Sequence, residues 1–186
     1  PQLAKEWKWV EPNVLELSIH SNARFSDGTP VTVEDVIATY NFFVKEEKDP
    51  SPRKGFMNAV EKIEKVDSET VRFSLKEADV SFVANLVVGI LPAQLATSKR
   101  IESQSEYVGC GPFKLKSMDI NNIVLERNNQ FFIQENVPQL EHVQIKIVQD
   151  ESTRFAKLLN EEVHLVQNTV SRDKLPSVES KHQDKL

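Results

Sequence analysis

Between Val14 and Lys48 the sequence leaves the chain little choice of local structure. Val14–His20 alternates, with Leu15, Leu17 and Ile19 on one side and Glu16, Ser18 and His20 on the other. That period of two belongs to a half-buried strand. Phe25-Ser26-Asp27-Gly28-Thr29-Pro30 comes next, and its Asp-Gly pair asks for a turn with positive φ at the glycine. Thr32 then reads as a helix N-cap, completed three residues on by Asp35 in a pair like a capping box. Val33, Val36, Ile37, Tyr40 and Val44 recur at helical spacing. The expectation is an amphipathic helix from Val33 to about Lys48, with Val36, Ile37 and Tyr40 buried. Pro50 and Pro52 forbid its continuation.

Ile63–Val66 and Thr70–Leu75 read as a hairpin around Asp67-Ser68-Glu69, with Val71, Phe73 and Leu75 facing inward. Short helical stretches are expected near Ser81–Val88 and after Pro92, where proline fits a first helical position. Thr97–Glu106 is polar and reads as a connection. Phe113–Lys116 and Ile123–Arg127 bracket Asp119-Ile120-Asn121-Asn122 as a second hairpin. Val143, Ile145 and Ile147 suggest a strand, Asp150 can cap a helix carrying Phe155, Leu158 and Leu159, and Val163–Val166 reads as a strand after it. Such a strand–helix–strand unit gives the last third an α/β organisation. The expected fold is therefore α/β with a mixed sheet, in two subdomains: residues 1–105, built of hairpins and a helix, and residues 106–186, a partial α/β core.

Composition narrows the function classes. Of the 186 residues, 39% are hydrophobic and 27% charged, which suits a folded chain rather than a disordered one. The net charge of -5 argues against a nucleic-acid partner, because gripping phosphates takes clustered Lys and Arg. The longest apolar stretch, Phe82–Leu91, is broken by Asn85 and Gly89 and falls short of the about 20 residues that cross a bilayer. Cys110 is the only cysteine, so no intrachain disulfide forms.

No catalytic or metal site is read from the residues, and no cofactor is expected. Cys110, set between Gly109 and Gly111, has the look of a nucleophile in a glycine-rich turn, but a working cysteine needs a base and an oxyanion site. The simpler account is that a small side chain is needed between two glycines before Pro112. His20, His142, His164 and His182 show no metal-ligand spacing. The adjacent acidic pairs Glu34-Asp35, Glu46-Glu47 and Glu161-Glu162 point to different sides of a helix and suit solvation better than acid–base catalysis. Trp7, Trp9 and Tyr40 read as core aromatics. Tyr107 beside the glycine-flanked turn is the exception, and with Gly109 and Cys110 it forms the candidate ligand-binding set.

Several blocks together resemble a known family. Leu3-Ala4-Lys5-Glu6-Trp7, the strand, and Phe25-Ser26-Asp27-Gly28-Thr29-Pro30-Val31-Thr32-Val33-Glu34-Asp35-Val36 are similar to the opening pattern of the family 5 extracellular solute-binding proteins. Val66–Leu75, Tyr107–Leu115, Leu125–Asn128 with Phe131-Phe132, and Gln149–Arg154 resemble later family segments and stand in the family's order. Departures from the pattern are Cys110 for a threonine, Ser21-Asn22-Ala23-Arg24 where an arginine-glycine is usual, and Glu162-Val163-His164 near the end. The family comprises dipeptide-, oligopeptide- and nickel-binding components of ABC importers.

The resemblance implies a lobe I fragment of a type II periplasmic-binding-protein-like fold, with the second lobe absent. It implies no enzyme but a protein that captures peptides or similar small solutes in the periplasm, or at the extracytoplasmic membrane surface. The solute would pass to an ABC permease in the membrane. Two other readings stay open at this point: the solute-sensing module of a cytoplasmic transcriptional regulator, and a hydrolase using Cys110.

Overall fold

The structure is a computed structural model that describes residues 2–45, 54–96 and 107–167. Glu46, Glu47, Lys48, Pro50, Pro52, the 97–106 connection with the junction expected there, and His182 lie outside these residues. The chain divides into two compact units. One takes the chain as far as Ser117 together with Val124–Val143, and the other takes Met118–Ile123 with the chain from Gln144 onward.

The first unit is organised on a four-stranded antiparallel sheet. Its strands are β1 (Ala4–Glu11), β2 (Val14–Ile19), β3 (Val60–Lys65) and β4 (Thr70–Leu75), in the order β1-β2-β4-β3. Helix α1 (Val33–Lys45) and the short α2 (Lys54–Met57) fall between the second and third strands in sequence. Both expected elements around Asp67-Ser68-Glu69 form, and the Asp67 carboxylate accepts the Glu69 N–H at 2.8 Å to close the turn.

The register explains why the sheet is two-faced. Leu15 lies opposite Phe73 and Leu17 opposite Val71, so their apolar side chains share the inner face, where Leu15, Val71, Phe73 and Leu75 are fully buried. Val33, Val36 and Tyr40 of α1 and Phe82 close over this face. Ile37, expected among the buried residues, is only half-buried; it packs against the rim of the core, not inside it.

The outer face carries alternating charge across three strands. Glu16 lies opposite Lys8 on one side and Arg72 on the other. Arg72 donates to Glu16 Oε1 from Nη2 at 2.7 Å and from Nε at 3.1 Å, and Lys8 Nζ lies 3.1 Å from Oε2. Alternation alone would expose Glu16; its two cationic neighbours instead cover it to 8% exposure. The hydrogen bonds from Arg72, then from Lys8, hold its carboxyl below the usual carboxylate range. A group with a depressed folded-state pKa contributes stability above its unfolded value, lost as the pH falls through the folded one. Glu16→Gln should therefore destabilise near neutrality and flatten the acid limb of the stability–pH curve below about pH 5. Urea midpoints at a series of pH values check this; parallel curves for the two proteins would contradict it.

The turn into α1 forms as its residues require. Gly28 has φ of 90°, while Asp27 Oδ1 accepts from the Thr29 backbone N–H at 2.9 Å and from its hydroxyl at 2.7 Å. A Cβ at Gly28 would meet only Gln130 Oε1 at 3.9 Å, so the demand for glycine comes from φ and not from crowding. Gly28→Val should cost about 1 kcal/mol or more through that strain. An unchanged melting temperature would count against it.

Strand β1 has no counterpart in the periodicity reading. Its sequence, Ala-Lys-Glu-Trp-Lys-Trp-Val-Glu, lacks an apolar alternation. It is an edge strand with register shifts near both ends, and charged edges of this kind discourage pairing with a further chain. The Val80–Asn85 segment is a 3-10 helix capped by Asp79, whose carboxylate accepts the Ser81 N–H. After Pro92 the expected helix is only a turn, in which the Leu95 and Ala96 N–H groups both reach the Pro92 carbonyl.

The second sheet has the order β5-β6-β7, from β5 (Phe113–Met118), β6 (Asn122–Arg127) and β7 (His142–Lys146). Asp119 Oδ1 closes the β5–β6 turn by accepting the N–H groups of Asn121 and Asn122.

In the second unit, α3 (Glu151–Leu159) starts where expected. Asp150 caps it, accepting from the Thr153 N–H at 2.7 Å and its hydroxyl at 2.6 Å. At the other end Glu162 N–H reaches the Lys157 carbonyl and Glu161 N–H that of Leu158. Glu161 takes φ of 61° there, a position that usually belongs to glycine. The strand expected at Val163–Val166 does not form. A strand is defined by its partner, and no described residue pairs with this segment; Leu165 stays 83% exposed. Among the described residues no helix is long and apolar enough to cross a membrane.

Candidate functional site

The first unit holds a cavity of about 480 Å³. Its walls come from the start of β1, from Leu17 and Ile19 of β2, from Val36 and Tyr40 of α1, from the 83–90 segment, and from Gly109-Cys110-Gly111. The same α1 residues that cover the sheet thus also face an open space.

Two buried polar side chains of α1 fix the chain where it leaves the 83–90 wall. Asp35 and Thr39 stand one helical turn apart and are 7% and 1% exposed. Asp35 Oδ2 accepts from the Thr32 N–H and hydroxyl, each at 2.7 Å, and Thr32 Oγ1 lies 3.4 Å from the Asp35 N–H, which is the expected capping pair. The other oxygen, Oδ1, accepts the Ala93 N–H at 2.7 Å. Thr39 Oγ1 accepts the Leu91 N–H at 3.0 Å and donates to the Leu91 carbonyl at 3.3 Å. One carboxylate therefore both starts the helix and fixes the chain that leaves the cavity wall. The sequence reading recognised its first task only.

The glycine-flanked wall is held from two sides. Ser26 N–H donates to the Gly109 carbonyl at 2.8 Å, so the turn before α1 anchors the loop. Asn128, 4% exposed, donates from Nδ2 to the Gly111 carbonyl at 3.1 Å, and its backbone N–H reaches the Pro112 carbonyl at 2.8 Å. Its own Oδ1 accepts the Gln130 N–H at 3.1 Å. Phe131 and Phe132 are buried just beyond, and Asn22 Nδ2 donates to the Phe132 carbonyl at 3.1 Å.

Of the candidate ligand-binding residues, Gly109 and Cys110 line the cavity. Tyr107 is 41% exposed and is not part of its wall. Burial pushes the Cys110 thiol up, and the nearby Asp35 carboxylate adds to the effect. A thiol raised in this way stays protonated near neutrality, and the thiolate is the reactive form. The small-side-chain account of Cys110 fits this environment better than the nucleophile account. Among the described residues no three His, Cys, Asp or Glu side chains are grouped to hold a metal ion.

The largest contiguous group of cavity-lining residues that the sequence reading missed lies in the 83–90 segment. The signal was present as the apolar run that reads in sequence only as a short helical stretch near Ser81–Val88. Val87 and Gly89 are exposed while Ile90 is buried.

Comparison with known proteins points one way. The family model for bacterial extracellular solute-binding proteins, family 5 middle, matches residues 1–185. A binding protein of Brucella melitensis is 30% identical over 138 residues, which is 72% of this chain and 21% of that protein. The oligopeptide-binding protein AppA of Bacillus subtilis is 29% identical over 154 residues, covering 77% of this chain and 28% of its own length. The crystal structure of AppA from Clostridium difficile superposes with a TM-score of 0.72 at 28% identity, over 87% of this chain and 35% of that one. The chain thus spans between about a fifth and a third of the length of these relatives. With the family match running through the capped turn, both hairpins and the glycine-flanked loop, this chain belongs to the family 5 bacterial extracellular solute-binding proteins.

Proposed function

We propose that the full-length protein containing this chain captures a peptide or comparable small solute outside the cytoplasmic membrane and delivers it to an ABC permease. The observation that carries this reading is the family match across residues 1–185. The Bacillus subtilis relative is named for oligopeptide binding, which supports a peptide as the solute and favours transport over the regulator alternative. The work is non-covalent: a cleft binder gains affinity from shape, a few polar contacts and exclusion of water. A protonated, half-buried Cys110 adds nothing that would make the protein a hydrolase. Gly109 and Cys110 at the cavity wall, with Tyr107 exposed two residues before them, are the proposed ligand contacts.

Native purification of the full-length protein followed by mass spectrometry of the released small molecules tests the reading. Short peptides should be recovered, and cell fractionation should place the protein outside the cytoplasmic membrane. Recovery of a non-peptide solute alone, or a cytoplasmic location, would overturn it.

A further inference from the structure

The cavity is chemically one-sided. Leu17, Ile19, Val36, Val83, Leu86 and Val88 present aliphatic surface to it, and no charged side chain is among its described lining. The nearest carboxylate of the wall-forming helix, Asp35, spends its oxygens on Thr32 and Ala93. Two backbone acceptors of the wall are also engaged: the Gly109 carbonyl accepts from Ser26 and that of Gly111 from Asn128. A ligand's ammonium or carboxylate would lose water there without meeting an opposite charge among the described lining. An apolar group would lose nothing and leave water behind.

Size sets a second limit. At about 480 Å³ the space lies in the lower part of the roughly 300–1,000 Å³ range of small-molecule pockets. It is roomy enough for a large side chain together with part of the peptide that carries it. A Cβ placed on Gly89 or Gly109 would meet nothing within 4 Å, so the rim at both glycines is open.

We propose that this cavity receives an apolar side chain of the bound peptide and makes the full-length protein prefer peptides that carry one. The inference rests on the peptide reading above and adds the side-chain class. Cys110 provides a built-in reporter, because it is the only cysteine of this chain and lines the cavity.

The test uses the full-length protein, with trileucine and triserine as ligands in calorimetry. In parallel, N-ethylmaleimide labelling of Cys110 is followed by peptide mass spectrometry. Trileucine should bind at least about tenfold more tightly than triserine and should slow Cys110 labelling about fivefold or more, in line with its occupancy. Val87→Asp, at a position already 69% exposed and so tolerant of charge, should weaken trileucine binding and so remove most of the preference. Val88→Asp, deeper in the wall, should do the same if circular dichroism shows it folded. Equal affinities without protection of Cys110 would overturn the inference and leave peptide capture standing. If neither peptide binds, the peptide reading fails, and N-acetyl-leucine methylamide decides the cavity's chemistry. Slowed Cys110 labelling by that compound supports an apolar site, and unchanged labelling overturns it.

Discussion

Phe73→Ala is expected to lower the unfolding free energy by about 3–5 kcal/mol, the range for truncating a large aromatic in a packed core. Phe73 is fully buried in β4 and stands opposite Leu15 of β2 and Ile63 of β3. Its ring meets Tyr40 edge-on at 5.2 Å and Phe82 at 5.8 Å. One side chain therefore joins the sheet to α1 and to the 3-10 segment, and no neighbour can collapse into its space without releasing another. The loss is a large fraction of the whole stability of a small domain, about 5–15 kcal/mol. Phe73→Leu, which keeps much of the volume, should be clearly milder. Urea unfolding of both variants, followed by Trp7 and Trp9 fluorescence, reads the difference. A loss below about 1 kcal/mol for Phe73→Ala would mean the ring is not the centre of this core.

Asp35→Ala should cost about 2–4 kcal/mol by a different route. It removes the carboxylate half of the capping pair with Thr32, part of an arrangement typically worth about 0.5–2 kcal/mol, and it leaves the Ala93 N–H without its acceptor, at about 1–3 kcal/mol when buried. The two losses share one carboxylate, so the variant should also loosen the 91–93 segment. Amide hydrogen exchange at Leu91 and Ala93 should accelerate more than exchange in β2 or β4, which are held by strand pairing. Acceleration confined to the first turn of α1, with Leu91 and Ala93 unchanged, would show that Asp35 acts on the helix alone.

These effects also mark how much the sequence disclosed. The turn at Asp27-Gly28, the cap at Thr32 and both hairpins were legible because each is set by local chemistry: a positive φ, a short polar side chain, a period of two. Glu16 was misleading, since its burial depends on Lys8 and Arg72 from neighbouring strands. Strand β1 was hidden because an edge strand rich in Lys and Glu has no apolar alternation to show. Val163–Val166 has the composition of a strand but no partner among the described residues, and composition cannot report a partner. The cavity was half legible. Gly109 and Cys110 stood out as a loop motif, whereas the chain leaving the 83–90 wall is fixed by hydrogen bonds of Leu91 and Ala93 with Thr39 and Asp35, across more than fifty intervening residues. Tyr107 was selected by adjacency in sequence, which does not determine whether a side chain faces a cavity.

Peptide capture by the full-length protein remains the claim on which the functional account turns. Binding costs an estimated 4–15 kcal/mol in lost translational and rotational freedom, and a chain spanning 28% of its AppA relative offers only part of the surface that would offset it. Calorimetry of the full-length protein and of this 186-residue chain, each against the same mixed peptide library, tests this directly. Saturable binding by the full-length protein and no measurable heat from this chain at micromolar concentration are expected. Tight binding by this chain alone, or none by the full-length protein, would contradict that claim.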